Sequence, residues 1–135
     1  MTPAQLLCLI YAVILFAVAA INYIPGLTDG EGLAFGIFAL DPFDDALHLV
    51  SGLWALAAGL ISRRASQLFL VLFGAAYLAD GIFGIFTGWG FLDFAIFTNA
   101  SLGPEFSFLR LAANAPHIGL GGIALCAGVL SLRKG

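Results

Sequence analysis

Four long apolar stretches, 3–24, 45–61, 66–86 and 114–132, are interrupted only by short intervals where polar residues, glycine and proline gather. A helix needs about 20 mostly apolar residues to cross the hydrocarbon of a bilayer, so each stretch predicts a membrane-spanning helix. The first could also be read as a signal peptide, because Ala17-Val18-Ala19 resembles a cleavage site. A signal peptide has a positive segment ahead of its apolar run, and no Lys or Arg precedes this one. It is read as a helix.

Two shorter segments follow a different rhythm. Leu33, Phe35 and Ile37 alternate with Ala34, Gly36 and Phe38, and Leu92, Phe94 and Ile96 repeat the pattern. Period-two spacing of aromatic and branched residues predicts short strands. Lying flat, the two would meet as an antiparallel pair capping the outer side, with interfacial helices as the competing reading. Residues 99–114 have no counterpart earlier in the chain and read as an inserted outer loop.

Sliding the chain by 69 positions lays residues 45–64 on 114–133 without a gap, and nine of the twenty positions are identical, His48/His117, Gly52/Gly121 and Gly59/Gly128 among them. Self-similarity on this scale marks a repeated structural unit. The chain therefore reads as one transmembrane domain, 1–135, made of two copies, 1–64 and 65–135, each crossing twice. Their pseudo-twofold would run along the membrane normal. The expected fold is all-α, a four-helix bundle built from two parallel two-helix repeats.

His48, Gly52, Ala55 and Gly59 recur at steps of four, three and four, as do His117, Gly121, Ala124 and Gly128. Each set lies on one helical face, and small residues there let membrane helices approach closely. Both imidazoles are thus expected to point inward. Asp45 and Asn114, three residues earlier, read as N-caps. Asp80 is the only acid well inside a span. An ionisable residue there is a functional-site candidate in need of a partner, and His48 and His117 are the ones expected.

Composition changes the picture in two ways. At 61% hydrophobic and 10% charged, against about 45–50% and 25% in soluble domains, the chain cannot be a water-soluble globule. With only five Lys and Arg and a net charge of −3, it has no nucleic-acid footprint. Arg63, Arg64, Arg133 and Lys134 fall on one side of the four spans, and Arg110 is the exception. The positive-inside rule makes that side cytoplasmic, with both termini inside and the acidic segments outside. Cys8 and Cys126 sit in apolar runs and read as core residues rather than a disulfide framework.

Candidate chemistry is sparse. A structural role for the histidines, each bonding a carbonyl or carboxylate, is the leading reading. His48, His117, Asp45 and Asp80 have the ligand types of a zinc or other divalent-metal site. The two imidazoles could instead sandwich a haem, and Asp80 could line a proton or solute path. Neither Ser51 nor Cys126 is placed beside a base by its spacing, and no phosphate-binding loop is present, so enzyme chemistry is not expected.

The run Phe35-Gly36-Ile37-Phe38 followed by Asp41-Pro42-Phe43-Asp44-Asp45-Ala46-Leu47-His48 and Gly52, with Asn114-Ala115-Pro116-His117 and Gly121, resembles a bacterial family of unknown function. Its members are four-helix membrane proteins with a duplicated Asn/Asp-x-x-His-x-x-x-Gly signature. The chain departs from that pattern at Asp44 and Asp45, where a His-Asn pair is commoner. The resemblance implies the fold and no activity. A small accessory, interaction or ligand-binding protein of the bacterial cytoplasmic membrane is the resulting expectation, as a homo-oligomer or a subunit of a larger complex.

Topology is directly testable. With Cys8 and Cys126 replaced by alanine, a cysteine introduced at Arg64 should resist a membrane-impermeant maleimide in intact cells. One introduced at Glu31 should react, and the opposite labelling would invert the orientation.

Overall fold

A capping side chain followed by proline starts both helices of the first half. Thr2 accepts from the Gln5 N–H, Gln5 reciprocates, and Pro3 opens α1, Pro3–Ala20. Asp41 accepts from Phe43 and Asp44, Asp44 reaches back to the Asp41 N–H, and Pro42 opens α2, Pro42–Ile61. A cap and a proline satisfy or remove N–H groups that a helix otherwise leaves without partners. Ser62 then ends α2 in an extended conformation and accepts from the Ala65 N–H, so α3, Arg63–Thr87, starts at once. The last long helix, α5, Phe108–Arg133, is capped by Ser107.

The computed structural model describes residues 1–134, and the chain divides into two compact units, Met1–Ser66 and Gln67–Gly135. Four helices are long and apolar enough to cross a membrane: Pro3–Tyr23, which adds the 3-10 turn Ile21–Tyr23 to α1, then Pro42–Ile61, Arg63–Thr87 and Phe108–Arg133. This is the expected four-span architecture. Two starts differ from expectation. The second and fourth helices begin at Pro42 and Phe108, so Asp41 and Ser107 are the caps while Asp45 and Asn114 lie inside the helices. Part of the expected outer loop is therefore helix. Residues 108–113 are mostly Leu, Phe and Ala, and in an apolar medium a helix is the cheapest way to pair their backbone.

The outer segments also differ from expectation. An antiparallel pair does form, but inside the first unit: β1, Leu33–Ala34, pairs with β2, Phe38–Ala39. Phe35 and Gly36 turn the hairpin with φ of 53° and 70°. Two successive left-handed residues suit a tight hairpin turn, and glycine adopts that geometry without cost. At the matching place the second unit has Ala95, and its segment becomes the four-residue helix α4, Ala95–Thr98, after a left-handed Phe94. Its amides are bonded elsewhere, to Asp80, Asp93 and Gly90. The two segments therefore do not form one shared sheet.

Within the first unit, α2 turns Gly52 toward Phe16 and Gly59 toward Leu9 and the Gln5 carbonyl on α1. Within the second, the approach is closer. A Cβ at Gly121 would stand 2.3 Å from the Leu78 nitrogen, and one at Gly74 would stand 2.3 Å from the Leu125 nitrogen. The buried residues of α5 are Gly121, Ala124 and Gly128. Phe69, Phe73 and Tyr77 stack in a ladder along α3, with centroids 4.9 Å and 4.0 Å apart. Cys8 is buried, whereas Cys126, expected in the core, is exposed because it lies off the small-residue face.

Overpacking a close contact costs about 1–3 kcal/mol. Gly121→Ala should lower stability in detergent by that order, while Gly119→Ala, whose Cβ would meet nothing within 4 Å, should leave the unfolding transition unchanged.

Candidate functional site

A carboxylate in the apolar part of a helix must find donors inside the protein, and Asp80 finds three. It lies seven residues before the end of α3 and is 4% exposed. Its Oδ1 accepts the backbone N–H groups of Phe91 at 2.7 Å and Leu92 at 2.9 Å. Its Oδ2 lies 2.6 Å from Nδ1 of His117 on α5. With Oδ1 already accepting two amides, the consistent assignment has the His117 Nδ1–H donating and the carboxylate accepting throughout. Gly90 makes room for this: a Cβ there would stand 2.7 Å and 2.8 Å from the two carboxylate oxygens. The Tyr77 ring, one turn before Asp80, packs against the imidazole at 4.7 Å between centroids. Asp80 thus ties α3, α5 and the loop after α3 together.

His48 belongs to the first unit. It is buried on α2, and its Nδ1 lies 2.6 Å from the Asp44 carbonyl oxygen one turn earlier. A carbonyl only accepts, so here too Nδ1 carries the proton. In a neutral imidazole so bonded, Nε2 is the nitrogen that carries the lone pair.

The remaining expected residues take other partners. Asp44 completes the α2 capping box. Asp45 faces Asn22, whose Nδ2 is 3.3 Å from each carboxylate oxygen and 2.8 Å from the Leu40 carbonyl. Asn114 donates to the Arg110 carbonyl at 2.9 Å, and its amide fills the space above Gly84. Arg110, the one cation on the acidic side, is neutralised locally. It bonds the Ile85 and Gly103 carbonyls and pairs with Glu105 at 2.9 Å. Among the described residues, no group of three or more His, Cys, Asp or Glu is gathered as a metal-binding set.

Sequence reasoning named Asp80 and His117 but missed what completes the site. Phe91 and Leu92 contribute backbone amides, which leave no trace in residue type. Gly90 and Asn22 were legible in principle, one as a glycine before an apolar segment and the other as a lone amide at the end of an apolar run.

The family model of a domain of unknown function, DUF4383, matches residues 5–130, and the chain belongs to that family. No curated protein and no solved structure matches it. The chain is thus a multi-pass membrane protein of an uncharacterised family.

Removing the carboxylate would leave three donors without their acceptor, and an unsatisfied buried donor costs about 1–3 kcal/mol. Asp80→Ala should therefore destabilise the protein by about 3 kcal/mol or more. The Phe91 and Leu92 amides should lose hydrogen-exchange protection before the helices do. Unchanged protection at those two amides would remove the clamp role.

Proposed function

We propose that this DUF4383 member is a duplicated, non-catalytic protein of the bacterial inner membrane. Both termini are cytoplasmic, and it serves as an accessory, interaction or ligand-binding protein, as a homo-oligomer or within a larger membrane complex. The observation that carries this reading is Asp80, whose two oxygens take three donors from its own unit. A carboxylate used in this way fixes architecture. The duplication is supported by a shared arrangement: a glutamine near the start of each unit's first helix donates to a carbonyl near the end of its second, Gln5 to Gly59 at 3.1 Å and Gln67 to Ser131 at 2.9 Å. Phe35 and Phe94, aligned in sequence, are both left-handed.

A second reading rests on the imidazoles. Histidines that bind metals commonly donate the other ring nitrogen to a carbonyl or carboxylate, and His48 and His117 do both between them. In this reading each imidazole would offer Nε2 to a haem or divalent metal. Asp80 would then act through His117, and Asp45, held by Asn22, would be a weaker ligand. A proton or solute path through Asp80 is a third reading, and it requires the carboxylate to release its three donors.

One preparation separates these. Protein extracted from membranes should show no Soret band and no stoichiometric metal, and His48→Ala and His117→Ala should change stability alone. A Soret band or bound metal lost in either variant would replace the architectural reading with the cofactor one. A proteoliposome flux abolished by Asp80→Asn would replace it with the conduit.

A further inference from the structure

The first unit carries a groove along α1 and α2. It has a volume of about 580 Å³, opens between the end of α1 and the start of α2, and is lined by Phe16, Ala19, Tyr23, Asp45, Ala46 and Leu49 among others. Its walls are graded. Asp45 lies at the start of α2 and Leu49 one turn further in, while Tyr23 ends the first span and Phe16 lies about two turns back along it. The single charged group is therefore at one end, and the rest is aliphatic and aromatic.

Asp45 differs from its acidic neighbours. Asp41 accepts two backbone N–H groups, and Asp44 accepts the Asp41 N–H. The Asp45 carboxylate shares a single Asn22 nitrogen, 3.3 Å from each oxygen, which leaves most of its acceptor capacity unused. A half-buried carboxylate beside aromatic rings is the environment that draws an ammonium group, through charge and through the ring faces. An apolar trough running inward from it matches an acyl chain. The acids that start α2 with it, Asp41 and Asp44, disfavour an anionic headgroup.

We propose that this groove binds one membrane lipid with an ammonium headgroup, the head at Asp45 and Tyr23 and the chain along Ala46, Leu49 and Phe16. The assignment depends on the chain spanning a membrane and is independent of the role given to Asp80 and His117.

The test uses purified full-length protein in detergent with equimolar phosphatidylethanolamine and phosphatidylglycerol of identical acyl chains, with retained lipid read by native mass spectrometry. Phosphatidylethanolamine should be retained roughly tenfold over phosphatidylglycerol, which corresponds to about 1.4 kcal/mol. Asp45→Asn should erase the preference, and Ala46→Phe, which fills the trough without touching the carboxylate, should lower retention. Glu31→Gln, outside the groove, and Asp80→Asn should preserve the preference, so this proposal can fail while the architectural reading stands. Equal retention of the two lipids, or a preference that survives Asp45→Asn, would overturn it. Displacement by free ethanolamine as effective as by the lipid would overturn the lipid assignment.

Discussion

Inside hydrocarbon there is no water to satisfy a polar group, so each one must be answered by another part of the same protein. Asp80 shows what that requirement does to a fold. Its carboxylate gathers an imidazole from α5 and two amides from the loop after α3, and the geometry of all three follows from where the charge sits. The loop cannot form a strand there, because its first amides are already bonded. Gly90 has no side chain to spare, because the carboxylate fills that space. One acidic residue thus decides the path of a connection and the tautomer of a histidine.

The helices on which that charge is carried meet through glycine. In water, a groove between helices would be closed by larger apolar side chains. In lipid there is no such drive, and close backbone contact supplies the attraction instead. Gly74 and Gly121 bring α3 and α5 to backbone contact, which holds Tyr77 and Asp80 against His117. In the first unit, Gly52 meets side chains of α1, and Gly59 meets Leu9 and the Gln5 carbonyl. In the second unit Asp80 pairs with His117, whereas in the first Asn22 pairs with Asp45. The two units share a helical plan and differ in the polar chemistry each places near the ends of its helices.

That difference bears on function. A carboxylate that already accepts three donors has less capacity left for a ligand than one with a single long contact. The second unit therefore offers a carboxylate held by three donors. The first offers an apolar groove with an acid at its rim.

Four spans, the inward small-residue faces and the importance of Asp80 could all be read from the sequence. Each follows from residue type and spacing: hydrocarbon thickness sets helix length, the helical period sets the shared face, and a lone acid in an apolar run stands out. The choice of Asp41 and Ser107 over Asp45 and Asn114 as caps was less visible, because several polar residues near a helix start can all serve. The hairpin in one unit and the short helix in the other follow from Gly36 against Ala95, a difference in tolerance for left-handed backbone, together with the loop amides that Asp80 holds. The partners of Asp80 among backbone amides, and the groove beside Asp45, came only with the tertiary structure. Amides are common to nearly every residue, and a groove is a property of two helices rather than of either alone.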